Sequence, residues 1–158
     1  MKRFLGSSRS TVVVLLWTSL CAALGLAAVH RIRGAVVELR AARDLSLFGL
    51  DGFAREAIDF QWLLRAPGAE SRFSYLVNEG SPSAKVFGAC GLYLLDSERF
   101  GAARDRLSTD DSQISMGGCI RYSKALSELA GDLPKFCPHM KMGTLQWATT
   151  EVGWLTGR

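Results

Sequence analysis

The residues best equipped for chemistry lie in one short run, Cys137-Pro138-His139-Met140-Lys141-Met142, which places a thiol, an imidazole and two thioethers within six residues. Such soft donors suit an ion such as Cu(I). Against a metal site built from Cys137, His139, Met140 and Met142 stand three features: the run has no second arm elsewhere in the chain, Pro138 restricts its geometry, and Cys137 is also wanted for a disulfide. A surface loop with one structural cysteine is the simpler reading. A second chemistry would use Cys119 and Cys137 as a redox thiol pair with His139 beside them, because a thiol reacts as its thiolate and needs a base or cation nearby. Nothing in the sequence brings those groups together. The acidic pair Asp110-Asp111 reads as the solvated turn closing a helical hairpin rather than as a catalytic dyad.

The wider inventory narrows the classes further. The chain has two histidines, and His30 borders a long apolar run, so histidine chemistry in the rest of the chain would fall to His139. No Gly-x-Ser-x-Gly elbow, His-Glu-x-x-His helix, Walker loop or dinucleotide glycine fingerprint occurs, which removes the standard signatures of hydrolases, zinc proteases and nucleotide-binding enzymes. No catalytic residue and no cofactor is expected. Binding or scaffolding is the leading function class, with the thiol-redox enzyme and the soft-metal module as its alternatives.

The strongest organising feature is the run of residues 11–29, which carries no charge and is flanked by Lys2, Arg3 and Arg9 before it and Arg31 and Arg33 after it. Crossing a hydrocarbon core of about 30 Å takes roughly 20 apolar residues in a helix. A signal peptide has a shorter apolar region of about 7 to 15 residues, so length favours a retained single-pass anchor with the bilayer as its partner. Gly25-Leu26-Ala27 followed by Ala28 also offers small residues for cleavage after Ala27, which would leave a secreted or periplasmic chain. Leu20 is too bulky to precede a lipidated Cys21. Flanking charges nearly balance, but a short basic tail before the first apolar segment ordinarily stays in the cytoplasm. That places residues 30–158 outside, at an inner membrane.

Removing the run changes the charge picture. The formal charge of +4 becomes 16 basic against 15 acidic side chains over residues 30–158, which is no nucleic-acid footprint. Arg31, Arg33, Arg40 and Arg43 read as a membrane-proximal basic edge. About 128 residues remain, an ordinary size for one domain. The expected organisation is a basic tail over 1–10, a transmembrane or signal segment over 11–29, a stalk helix over 30–48 and an α-helical domain over 49–158. Cys21 lies inside the apolar run. Cys90, in the apolar stretch 86–95, is expected as a buried free thiol. Cys119 and Cys137 are the disulfide candidates, closing a loop worth about 3 kcal/mol if the compartment is oxidising.

Beyond the stalk, Asp51-Gly52 reads as a turn before a helix carrying Phe53, Ala57, Phe60, Trp62 and Leu64, which Pro67-Gly68 ends. An offset of 31 residues then superposes Trp62-Leu63-Leu64 on Tyr93-Leu94-Leu95, Leu76 on Leu107, Glu79 on Asp110 and Ser81 on Ser112. A period of this size suggests stacked αα-hairpins. Ser81-Pro82 opens a helix as cap and first turn. The sequence that follows is apolar on most faces, so this helix should be central, and Gly88 and Gly91 let a neighbour approach it closely. Asp96 or Ser97 caps the next helix, in which Phe100, Ala103 and Leu107 share a face and Arg99, Arg104 and Arg106 face water. Residues 113–116 alternate as a short extended segment, a helix resumes over 122–130, and Gly131-Asp132-Leu133-Pro134 stops it. Trp147 and Trp154, in the last stretch, are assigned to packing on their own domain.

The segment AKVFGACGLYLLDSERF, followed by the GGCI of residues 117–120, resembles one found in uncharacterised exported or membrane-attached bacterial proteins, and its hairpin resembles HEAT-type helical repeats. The likeness spans about residues 80–125. It implies compartment and architecture, and brings no catalytic residue with it. The fold class expected is mainly α: an N-terminal transmembrane helix followed by a small domain of HEAT-like αα-hairpins.

Overall fold

The computed structural model describes residues 7–45, 48–49, 52–53, 55–116 and 122–141. The chain divides into two units, Met1–Gly34 and Ala35–Arg158.

Unit 1 is built on helix α1 (Ser7–Arg40). Its Val13–Arg40 portion, 28 residues, is long and apolar enough to cross a membrane. Every side chain from 13 to 30 is exposed, including Trp17 at 65% and Leu26 at 73%. The two hydroxyls in the middle of this apolar surface are turned back onto the helix. Thr18 Oγ1 and Ser19 Oγ donate to the Leu15 and Leu16 carbonyls, each at 3.0 Å, so neither proton requires water.

Unit 2 is mainly helical, with a small sheet against the helices. It begins inside α1: Ala35 and Leu39 are fully buried, and Arg40 Nε donates to the Glu79 carbonyl at 3.1 Å. Helix α1, expected as a stalk over 30–48, ends at Arg40, and the second unit begins at Ala35. The reason is tertiary. Ser81 Oγ donates to the Ala42 carbonyl at 2.5 Å and Ser83 Oγ to the Arg43 carbonyl at 3.1 Å, so the carbonyls just past α1 are satisfied by another helix instead of by a further helical turn. The chain then enters β1 (Asp44–Leu45), which pairs in parallel with β4 (Gln113–Met116), Leu45 opposite Met116. β4 pairs antiparallel with β5 (Tyr122–Ala125), giving the order β1-β4-β5. The small hairpin β2 (Phe48–Gly49) and β3 (Gly52–Phe53) sets Gly49 opposite Gly52. The first four residues of the helix expected over 122–130 are thus strand, with Leu126 the first helical residue.

Four helices make the body of unit 2: α2 (Arg55–Leu64), α3 (Ala69–Glu79), α4 (Pro82–Leu94) and α5 (Arg99–Leu107). Helix α4 starts as its sequence indicates, Ser81 Oγ accepting from the Ala84 N–H with Pro82 in the first turn. Nine of its residues are buried, which makes it the central element. Its glycines set the spacing to α3. A Cβ on Gly88 would stand 2.7 Å from the Phe73 carbonyl oxygen, and one on Gly91 would stand 2.3 Å from the Phe73 ring. Phe73 therefore lies directly on the α4 backbone, and the Phe60 ring completes a cluster, 5.3 Å from the Phe73 ring and 5.8 Å from that of Phe87 between centroids. Leu63, Leu76, Leu92, Leu107 and Ile114 extend this core.

After β5 come three short pieces: α6 (Leu126–Ala130), α7 (Leu133–Phe136) and a 3₁₀ turn (Cys137–Lys141). Helices of four or five residues do not form on their own, because nucleation is not repaid over so few residues. Leu126, Leu129, Leu133, Cys137 and Met140 are buried, so this segment is held by contacts and bonds to the rest of the unit and not by its own helicity.

Candidate functional site

The run that carries the chemical groups folds as that 3₁₀ turn, and its residues point in opposite directions. Cys137 and Met140 are buried while Pro138 and His139 are exposed. The Met140 carbonyl accepts from Gln61 Nε2 of α2 at 2.5 Å. Met142 and Cys119 lie outside the described residues. Among the described residues, no group of three or more His, Cys, Asp and Glu side chains stands together as a metal site.

Cys137 is bonded to Cys90, not to the expected Cys119. Both half-cystines are completely buried, and the bond joins the middle of α4 to the 3₁₀ turn across 47 residues of sequence. The correction has a plain cause. Cys90 sits on the face of the central helix that the C-terminal segment covers, and the apolar neighbours that suggested a free thiol are the neighbours a buried cystine would also have. With the bond formed, Cys137 carries no free thiolate beside His139.

A second polar constellation joins α4 to the sheet. Lys85 Nζ contacts Asp110 Oδ2 at 2.5 Å, and Asp110 Oδ1 accepts from the Ser112 N–H at 3.0 Å. The Lys85 hydrogen bond, then that of Ser112, hold the Asp110 carboxyl at about 2, below its ordinary 3.8. The adjacent carboxylate differs. Asp111 is exposed and accepts from Ser127 Oγ at 2.9 Å, while the Asp110 carbonyl accepts from the Ser127 N–H at 2.9 Å. The pair read as a solvated turn is thus half structural, tying α4 and α6 to the turn before β4. The sequence signal was available only as a lysine on an otherwise apolar helix. Asp59 of α2, fully buried, was likewise not singled out, since one carboxylate among Ile58 and Phe60 carries no pattern.

Concave surface gathers at the α4–α5 turn. One hollow of about 390 Å³ is lined by Tyr93, Leu94, Asp96, Ser97, Phe100 and Pro138. Another, about 730 Å³, shares Asp96 and Ser97 with it and includes Leu64, Glu70, Glu98 and Arg99. Tyr93 and Phe100 meet edge to face at 5.1 Å. Asp96 has φ 53°, in the left-handed region. Its N–H donates to the Tyr93 carbonyl and that of Ser97 to the Leu92 carbonyl, both at 3.0 Å, which is the Schellman closure of a helix with the left-handed residue just past its end. Ser97 Oγ accepts from the Arg99 N–H at 3.2 Å and donates to Glu70 at 2.7 Å. Glu98 holds the N-cap position of α5 without a side-chain cap bond, Ser97 just before it takes the Arg99 N–H, and Asp96 ends α4. The Asp96 conformation is explained by the turn, and no group able to act as acid, base and nucleophile together converges on either hollow. Compared with known proteins, the chain matches no family model, no curated protein and no solved structure.

Proposed function

We propose that this is a bacterial envelope protein, attached to or exported through the membrane by α1, whose helical domain works by binding or scaffolding. The observation carrying the proposal is the uninterrupted exposure of apolar side chains on α1 from Val13 to Val29. An apolar surface of that extent is unstable in water, and the back-bonded Thr18 and Ser19 suit a helix lying in hydrocarbon. The buried Cys90–Cys137 bond supports a location outside the cytoplasm, because disulfides persist in oxidising compartments. HEAT-like pairing of helices is the finer part of the reading. It is supported by the ends of α2–α3 (55–64, 69–79) and α4–α5 (82–94, 99–107) falling near the 31-residue offset, with Leu76 and Leu107 both buried. The hollows flanking Asp96 are the surface on which a protein partner would bear.

Fractionation of cells producing the untagged full chain tests the attachment. Recovery with membranes after alkaline extraction is expected, and N-terminal sequencing separates a retained anchor from cleavage after Ala27. Complete recovery in the soluble cytoplasmic fraction would sink the proposal. Crosslinking in native membranes, with identification of attached chains, tests the binding role.

A further inference from the structure

We infer that Cys90 and Cys137 make the C-terminal segment a latch closed by oxidation: the chain is a substrate of a disulfide-bearing dithiol oxidase, and residues 126–141 become fixed on α4 only once that exchange has occurred. This rests on the location outside the cytoplasm proposed above.

Three observations carry it. Both half-cystines are 0% exposed, so no external disulfide can reach them in the closed domain, and the bond must be made while the segment is still off the core. The pieces it secures, five, four and five residues long, lack the length to hold themselves. Among the described residues their other ties include the strand pairing at β5, the Leu126 N–H to the Ser112 carbonyl at 3.1 Å, Gln61 to the Met140 carbonyl, the Ser127 contacts and Lys124 with Asp132 at 3.3 Å. Pro138, next to the bonded cysteine, is one wall of the smaller hollow, so closing the latch also completes that surface.

The exchange balances. One chain thiolate attacks the oxidase disulfide, forming a mixed disulfide and releasing one oxidase sulfur. The second chain thiolate then attacks the chain sulfur of that mixed disulfide, forming Cys90–Cys137 and releasing the other oxidase sulfur. Two electrons pass to the oxidase, whose two sulfurs take up the two protons.

The test produces the full chain, N-terminal segment intact, in cells with and without their periplasmic dithiol oxidase. Acid-quenched thiol alkylation with peptide mapping is read beside trypsin cleavage at Lys124 and Lys135. With the oxidase, Cys90 and Cys137 should alkylate only after unfolding and reduction. Without it both should alkylate directly, and cleavage at the two lysines should rise about a thousandfold, the population shift corresponding to closure of a 47-residue loop. A Cys90→Ala/Cys137→Val variant, which keeps an apolar filling, should be cleaved equally fast in both strains while cleavage at Arg72 in α3 rises far less. The latch is overturned if that variant resists trypsin as the oxidised chain does, or if both thiols are free in a domain that external protease digests in spheroplasts. Protection of the domain in spheroplasts would instead overturn the export reading itself.

Discussion

Helix α4 and the segment 126–141 reach burial by opposite routes. α4 is a single helix of 13 residues, apolar on nearly every face, and it is secured by shape: two glycines remove the side chains that would hold Phe73 away. Segment 126–141 buries Leu126, Leu129, Leu133 and Met140, but in pieces too short to be helical alone, and it is secured by cross-links. Contact area scales with the length of an element while a covalent or hydrogen-bonded tie does not. Long apolar elements can therefore rely on packing, and short ones cannot.

The contrast can be broken at its most costly point. Replacing Cys90 and Cys137 should lower stability by about 4 kcal/mol on the chain-entropy account of a 47-residue closure. Hydrogen exchange should place the loss in 126–141 ahead of α3–α4. A uniform loss across both regions would mean that the two are one cooperative body. In the packed region the corresponding change is Gly91→Ala, whose methyl would meet the Phe73 ring at 2.3 Å. Overpacking of this kind costs about 1–3 kcal/mol. Adding Phe73→Leu should recover part of the loss in a double-mutant cycle, and additive losses would show that the glycine–ring contact is not what sets the helix spacing.

Lys85 of α4 pairs with Asp110, whose carbonyl in turn takes the Ser127 N–H of the segment, and this supplies a third measurement. Asp110 has its carboxyl lowered to about 2, so its contribution is complete above the unfolded value near 3.8 and is lost as pH falls toward 2. Because both side chains are partly exposed, 24% and 21%, the contribution is about 1–2 kcal/mol. Denaturant midpoints recorded from pH 6 to 2 should fall more steeply for the native chain than for Asp110→Asn, the two curves converging at the acid end. Parallel curves would remove the pair from the account.

How much of this was legible follows the same division. The start of α4 at Ser81-Pro82, its central place, the approach over Gly88 and Gly91, and the extended 113–116 were all readable, because each is encoded within a few residues. What escaped reading was settled at a distance. α1 stops at Arg40 because serines 81 and 83 take the next carbonyls, with no breaker in the local sequence. Tyr122 to Ala125 would suit a helix and are strand because β4 needs a partner. Cys137 bonds Cys90 because the fold brings residues 47 apart in sequence together, and an apolar setting cannot tell a buried thiol from a buried cystine. The candidate site was legible as types and not as geometry: Cys137, His139 and Met140 are adjacent in sequence yet divided between core and solvent.

The smallest effect concerns the turn where the hollows meet. Asp96 occupies the position past α4 that glycine usually fills, at φ 53°, with its side chain exposed. Asp96→Gly should raise stability by about 0.5–1 kcal/mol by relieving the left-handed conformation, measured as a small upward shift in the denaturant midpoint. If the turn serves only to end α4, a crosslinked partner would be retained at wild-type yield in this variant. A more stable domain that loses its partner would mean that the aspartate is kept for its carboxylate between the two hollows, and that the packed half of the molecule, rather than the latched half, carries the recognition.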